Sequence, residues 1–191
     1  MEKFDIYLIG VGGQGIGLLS ETLARAIDHA GFEVQGVDTH GLAQRGGVVE
    51  SYIRIGPSHS PLIKQGEADM VIGLEINEAL RGTNNFLRDG GTLLYAPTEW
   101  QPLAVRIKED RQDVSAALAA VCKERKINKI EADQIELEDS RMENVVLLAV
   151  LARERLIPGL KKGHFTLALQ DLLTGSVLEK NLEIFLQVFG E

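Results

Sequence analysis

The feature that most constrains the fold is the glycine-rich turn GVGGQG at 10–15, which follows an apolar run at 4–9. Three of its residues, Gly10, Gly12 and Gly15, have the GxGxxG spacing. This spacing lets a strand turn sharply into a helix, and it brings backbone N–H groups close to a phosphate. The chain therefore opens with a predicted strand, a tight turn and a helix.

The residues after the turn predict an amphipathic helix, because Ile16, Leu19, Leu23 and Ile27 fall on one helical face. The first N–H groups of a helix have no partners within it, and the helix dipole is positive at that end. A pyrophosphate or a carboxylate fits there without a charged side chain. We predict an anion- or cofactor-binding turn formed by Gly10, Gly12, Gly13, Gln14 and Gly15.

A second strand is predicted at 33–37, and Asp38 follows it. Dinucleotide-binding enzymes have a carboxylate at about this place, where it binds a ribose hydroxyl. One hypothesis is therefore a free-standing oxidoreductase that binds NAD or FAD. The alternative is that Asp38 only ends a strand or faces water, since short glycine motifs often match by chance.

The loop after this strand is unusual, because it carries an imidazole, an amide and a guanidinium between glycines. A guanidinium binds a carboxylate or phosphate through two parallel hydrogen bonds, and glycine allows close approach. The alternative is a solvated loop whose arginine pairs with a surface carboxylate. We predict a contact with a partner, or with a composite site, formed by His40, Gln44, Arg45, Gly46 and Gly47.

The rest of the first half alternates between strands and helices. A strand at 69–74, a helix at 75–88 and a strand at 91–96 are predicted, and this spacing favours parallel pairing. The strand at 49–55 has no helix before it, so it is a candidate for antiparallel pairing in a mixed sheet. We predict one Rossmann-like α/β domain over 1–191, a three-layer α/β/α sandwich with a mostly parallel sheet.

The second half is predicted to be mainly helical. Ser140 and Glu143 have the spacing of a capping box before an apolar helix. Asn144, in the first turn of that helix, either bonds to a neighbouring loop or faces solvent. Two amphipathic helices near the C-terminus either close the core or bind a partner, and we expect them to close the core.

Composition excludes several functions. The net charge of −8 argues against a nucleic-acid surface, which needs a concentrated basic stripe. No apolar run approaches the ~18 residues of a membrane span, and no leader sequence is evident, so we expect a cytoplasmic protein. The four histidines are scattered, so we predict no metal site. We also predict no residue of this chain as a chemical catalyst.

Five ordered motifs together resemble the gamma-type subunits of 2-oxoacid:acceptor oxidoreductases, the pyruvate, ketoisovalerate and indolepyruvate ferredoxin oxidoreductases. The AQRGG, SPLI and LEINEALR strings are, more narrowly, similar to the beta subunit of indolepyruvate ferredoxin oxidoreductase. The motifs are GVGGQGI at 10–16, GLAQRGG at 41–47, YIRIG at 52–56, SPLI at 60–63 and ADMVIGLEINEALR at 68–81. Asn144 and Asn181 also lie where this family tends to have asparagine.

The resemblance implies a complex that oxidatively decarboxylates a 2-oxoacid, such as indolepyruvate or a related aryl or branched 2-oxoacid, to an acyl-CoA. It implies thiamine diphosphate, Mg and Fe–S clusters, with CoA as cosubstrate and ferredoxin as acceptor. This chain has one cysteine, Cys122, which cannot hold a cluster alone. A GDG-plus-asparagine thiamine signature is also absent from the sequence. We therefore expect these cofactors on a partner subunit, and a noncatalytic module that senses an anion or nucleotide is a further alternative.

Overall fold

The computed structural model describes residues 3–39, 47–99 and 113–190, and its centre is a six-stranded sheet. The strands are β1 (Phe4–Val11), β2 (Val34–Thr39), β3 (Val48–Ile55), β4 (Ala68–Gly73), β5 (Leu87–Tyr95) and β6 (Asn128–Glu131).

The sheet is mixed, as the missing helix before the third strand predicted. Its order is β2-β3-β1-β4-β5-β6. β1, β4, β5 and β6 are parallel, whereas β3 is antiparallel to both β1 and β2. β2 therefore runs in the same direction as β1 but is separated from it by β3. The carboxyl ends of five strands and the start of β3 lie at one edge of the sheet.

Helices cover both faces, which confirms the three-layer α/β/α architecture. α1, α4, α5 and α6 pack on one face, and α2 and α3 pack on the other. No helix in the described ranges is long and apolar enough to cross a membrane. The helices are α1 (Ile16–His29), α2 (Ile76–Asn85), α3 (Val114–Glu124), α4 (Glu143–Arg153), α5 (Lys162–Leu172) and α6 (Gly175–Phe189), with a 3₁₀ turn at Ser140–Met142.

β1 is the central strand of the protein, because its side chains are buried on both faces. Ile6 and Leu8 pack beneath α1, and Tyr7 and Ile9 pack beneath α2. Successive side chains of a strand point to opposite faces, so this continuous apolar run is what a strand between two helical layers requires.

A buried ion pair joins β1 to its antiparallel neighbour β3. Arg54 donates from Nε and Nη2 to the two carboxylate oxygens of Asp5, both at 2.9 Å. Asp5 is 1% exposed and Arg54 is 8% exposed. The two residues are also register partners in the ladder. A register shift would separate these charges in the interior, so the pair specifies the alignment of β3 on β1.

Two local predictions were wrong. The helix expected at 75–88 ends at Asn85, and Leu87 begins β5, where it pairs with Ala68. Ser140 and Glu143 do not occupy the N-cap and N3 positions of a capping box, because α4 begins at Glu143 with Met142 as its N-cap. The Glu143 carboxylate accepts a hydrogen bond from the Thr98 hydroxyl instead.

The C-terminal helices close the core, as expected. Phe165 of α5 and Phe185 of α6 are fully buried, with ring centroids 6.2 Å apart. Their apolar faces belong to the same cluster as α1 and α4.

Candidate functional site

The glycine turn lies at the carboxyl edge of the sheet, where α/β proteins commonly bind ligands. It follows β1 and leads into α1. The start of β3 is tied to it, because the N–H of Gly12 donates to the carbonyl of Gly47 at 2.7 Å. The turn and the end of the glycine-rich loop are therefore one connected structure.

The buried side chain of Gln14 stabilises this turn through two hydrogen bonds to the backbone. Its side-chain Oε1 accepts a hydrogen bond from the N–H of Val11 at 2.8 Å, and its Nε2 donates to the carbonyl of Leu74 at 3.0 Å. The residue is 6% exposed. The amide thus connects the end of β1 to the segment after β4. We predicted Gln14 among the anion-binding residues, and the structure shows its side chain bonded to the backbone of the turn.

Fewer backbone N–H groups of the turn remain to bind a ligand than the glycine spacing suggested. The N–H groups of Gly12 and Gln14 bond to Gly47 and Val11. In the described residues, no acceptor is bonded to the N–H groups of Gly13, Gly15 or Ile16. Gly13 and Gly15 have φ of 107° and 79°, a left-handed backbone that favours glycine. This backbone directs N–H groups outward at the N-terminus of α1, with no acceptor for them in the part of the chain that the structure describes.

Asn144 closes the turn from the opposite side. It is 2% exposed, and its Nδ2 donates to the carbonyl of Gly15 at 3.2 Å. The sequence left two alternatives for Asn144, a bond to a neighbouring loop or exposure to solvent, and the structure shows the bond to a loop. The Asn144 Oδ1 is buried and has no hydrogen-bond partner within residues 3–39, 47–99 and 113–190. Such an unsatisfied buried acceptor costs about 1–3 kcal/mol.

A polar cleft of about 250 Å³ lies beside the first turn of α4, and sequence reasoning missed it. Thr98 and Glu143 line the cleft together with Gln134 and Ile135. Burial raises the pKa of the Glu143 carboxyl, and the Thr98 hydrogen bond opposes this rise without cancelling it. No local sequence signal places Thr98 beside Glu143, because the two residues come from distant segments.

The predicted partner-contact loop falls largely outside the described residues. His40, Gln44, Arg45 and Gly46 are not described, whereas Gly47 is. The residues that flank the loop, at the end of β2 and the start of β3, lie at the same edge as the glycine turn.

The dinucleotide hypothesis for Asp38 does not fit the structure. Asp38 Oδ1 accepts hydrogen bonds from the hydroxyls of Ser20 at 3.0 Å and Ser51 at 2.5 Å. Its strand β2 is separated from β1 by β3, whereas a dinucleotide fold places the second strand directly beside the first. Asp38 therefore joins α1, β2 and β3 through this serine network.

Two further observations concern metal and thiol chemistry. Cys122 lies on the buried face of α3, and burial raises the pKa of its thiol. Within the described ranges, no group of three histidine, cysteine, aspartate or glutamate side chains is placed to hold a metal ion.

Comparison with known proteins identifies related sequences. Residues 5–191 match the family described as pyruvate ferredoxin/flavodoxin oxidoreductase. The chain is 51% identical over 79 residues to the indolepyruvate oxidoreductase subunit IorB of Archaeoglobus fulgidus, an alignment that covers 41% of this chain and 39% of that protein. It is 29% identical over 192 residues to the IorB subunit of Methanothermobacter thermautotrophicus, which covers 98% of this chain and 97% of that protein.

Comparison with solved structures agrees with the fold. The 2-oxoglutarate:ferredoxin oxidoreductase of Magnetococcus marinus, solved with 2-oxoglutarate, coenzyme A and succinyl-CoA bound, superposes with a TM-score of 0.69 and 20% identity. The match covers 98% of this chain and 30% of that chain. The same fold is therefore one part of that larger chain.

The backbone conformation of Gly15 leads to a first prediction, about the stability of the protein. A Cβ at this position would lie 2.6 Å from Asn144 Nδ2, and φ is left-handed. We expect Gly15→Ala to lower the free energy of unfolding by at least about 2 kcal/mol, because left-handed φ alone costs alanine ~1–2 kcal/mol. Gly17→Ala is the matched control, since nothing lies within 4 Å of its Cβ position. Urea unfolding should show the control unchanged or more stable by up to about 1 kcal/mol. Equal stability of the two variants would contradict this account of the turn.

The environment of the Glu143 carboxyl leads to a second prediction, about how the stability of the protein depends on pH. Its raised pKa means that the folded protein holds this proton more tightly than the unfolded chain does. Stability from this group is therefore complete below the unfolded value of about 4.3 and falls as pH rises through the folded pKa. Glu143→Gln removes this loss, so the stability of the variant relative to wild type should increase from acid towards neutral pH.

Glu138 provides a control with the opposite sign. Its pKa is lowered by the hydrogen bond from Lys180. Glu138→Gln should therefore lose stability relative to wild type as pH rises towards about 4.3. Thermal unfolding across the pH range measures both trends, and parallel trends for the two variants would refute the assignment.

Proposed function

Because this chain belongs to the pyruvate ferredoxin/flavodoxin oxidoreductase family, we propose that it is a gamma-type subunit of a 2-oxoacid:ferredoxin oxidoreductase of the indolepyruvate class. The observation that carries the proposal is the family match over nearly the whole chain. Alignment with an IorB subunit from end to end supports the indolepyruvate class and a single domain over 1–191. The reaction of the complex is oxidative decarboxylation of an aryl or branched 2-oxoacid to its acyl-CoA.

In this proposal the redox cofactors are held by a partner subunit. Fe–S clusters need several thiolates, and the sequence contains one cysteine, which is buried in the core. The described residues also offer no grouped metal ligands. Thiamine diphosphate, Mg and the clusters therefore belong to the partner, which passes electrons to ferredoxin. The complex is cytoplasmic, in keeping with a reducing compartment.

The contribution of this chain is to position an anionic group. The N–H groups of Gly13, Gly15 and Ile16, which have no acceptor among the described residues, form the proposed binding site for an anion, the anion seat. A phosphate or pyrophosphate of CoA is the anion that the reaction offers. Backbone donors suit this role in a protein of net charge −8, because they attract an anion at one point of a surface that otherwise repels it. CoA bound to the related M. marinus enzyme supports CoA as the probe to test.

The glycine-rich loop is proposed as the contact with the partner or the composite site. The Gly12–Gly47 hydrogen bond supports this, because it ties the end of the loop to the anion seat. In this arrangement His40, Gln44 and Arg45 orient the anion or bind the partner. Gly46 and Gly47 allow the two surfaces to approach closely.

Purification from the native host tests the proposed function. A tagged copy of this chain should co-purify with a larger polypeptide, together with iron, acid-labile sulfide and thiamine diphosphate. The purified complex should reduce ferredoxin with indolepyruvate and CoA, and with pyruvate or 2-oxoglutarate at least about tenfold less efficiently by kcat/KM. The chain expressed alone should have no such activity.

Two outcomes would contradict the proposal. Oxidation of a keto acid by the chain alone would show that the cofactors are not on a partner. A chain that purifies alone and binds a nucleotide saturably would favour the sensing module instead.

Arg45→Ala tests the loop within the assembled complex. A lost guanidinium contact to a phosphate or carboxylate is worth about 1.5–3 kcal/mol, so turnover or CoA affinity should fall about tenfold or more. The circular dichroism and unfolding temperature of the subunit should not change. Arg155→Ala is the control, because Arg155 is exposed and follows the far end of α4. Unchanged turnover and unchanged CoA dependence in Arg45→Ala would remove the loop from the site.

A further inference from the structure

Asn144 makes a contact that packing alone does not explain. It lies in the first turn of α4, and it is bonded to the turn before α1, 129 positions away in the chain. The nitrogen of its amide donates to Gly15, and the oxygen is buried with no partner among the residues that the structure describes. An apolar side chain would leave no acceptor to satisfy at this position. The fold thus keeps a polar side chain here although burial of its oxygen is costly.

The Asn144 amide donates to the Gly15 carbonyl, and the orientation of this carbonyl fixes the direction of the Ile16 N–H in the anion seat. The Gly15 carbonyl receives Leu19 N–H at 3.1 Å and Asn144 Nδ2 at 3.2 Å. In a trans peptide the carbonyl and the following N–H point in opposite directions. Two donors on the Gly15 carbonyl therefore hold the Ile16 N–H pointing away from the helix, towards the seat.

The orientation of the Asn144 amide is determined by its surroundings. A flipped amide would place Oδ1 against the Gly15 carbonyl oxygen, and two acceptors repel one another. The space is also closed on the side of the turn, because a Cβ on Gly15 would lie 2.6 Å from Nδ2. The unsatisfied Oδ1 is thus a consequence of keeping the donor on Gly15.

We infer that Asn144 is a positioning residue: it fixes the Gly15–Ile16 peptide and so aims the Ile16 N–H at the anion. This inference rests on the proposed role of the glycine turn as an anion seat. Asn144 is 2% exposed and donates to Gly15, so we assign it an indirect role rather than a contact with the anion. Its effect on binding passes entirely through the Gly15 carbonyl.

Three variants test the inference in the assembled complex and in the full chain. Asn144→Leu removes the donor and the unsatisfied acceptor together. Asn144→Asp places a carboxylate oxygen against the Gly15 carbonyl. Asn181→Leu is the matched control, because Asn181 is also buried, in α6, but its Nδ2 donates at 2.7 Å to Val177 of its own helix. The readouts are KM for CoA, kcat, the unfolding temperature and the amide NMR shift of Ile16.

We expect Asn144→Leu to raise KM for CoA about fivefold with kcat nearly unchanged, as for one misdirected hydrogen bond. The Ile16 amide signal should shift by more than any small change in unfolding temperature explains, since leucine is somewhat larger than asparagine in this closed space. Asn144→Asp should raise KM further. Asn181→Leu should leave KM and the Ile16 signal unchanged. A lower unfolding temperature for Asn144→Leu with unchanged KM would show a structural role only and overturn the inference.

The anion seat is tested separately with Gly13→Ala. No atom lies within 4 Å of a Cβ there, so this change disturbs the left-handed donor geometry without a clash. If KM for CoA is unchanged in Gly13→Ala and in both Asn144 variants, the proposed seat is wrong. In that case the amide NMR signal of Ile16 in the Asn144→Leu variant still tests whether Asn144 orients the Gly15–Ile16 peptide. An unshifted signal overturns the positioning role, and a shifted one supports it.

Discussion

The insertion of β3 between β1 and β2 is the constraint on which the rest of the structure depends. The buried Asp5–Arg54 pair lies in this antiparallel ladder and favours one register, because a slip would separate the buried guanidinium from the buried carboxylate. The insertion moves β2 away from β1 and brings the start of β3 to the carboxyl edge. It thereby joins the glycine turn to Gly47, and it removes the strand neighbour that a dinucleotide site requires.

Individual helices and strands were predictable where the residue types and their periodicity indicate the same structure. The strand, turn and helix at 4–29 follow from an apolar run, a glycine pattern and a helical repeat, all of which are local signals. The mixed sheet followed from a connection too short for a helix. The end of α2 was not predictable, because the buried Leu87 suits a helix as well as a strand. Only pairing with Ala68 in β4 decides between them.

The candidate site shows a sharper limit of sequence reasoning. Glycine spacing located the turn but not its bonding, so Gln14 was expected at the ligand and is found bracing β1 against Leu74. Asn144 was located without a role, since its partner is distant in sequence. Hydrogen bonds between distant segments depend on packing, and no local pattern encodes them. The donors left for an anion could be identified only after these internal bonds were known.

The bonding of the seat also bears on how the complex responds to pH. Backbone N–H groups do not titrate, so an anion held by them is bound equally well at every pH at which the anion keeps its charge. Glu143 follows directly on the 3₁₀ turn, beside Asn144, and burial raises the pKa of its carboxyl. Deprotonation there adds a negative charge to the helix turn that carries Asn144. The backbone donors of the turn therefore differ in kind from the Glu143 carboxyl, because the donors keep the same polarity at every pH whereas the carboxyl gains a negative charge as pH rises.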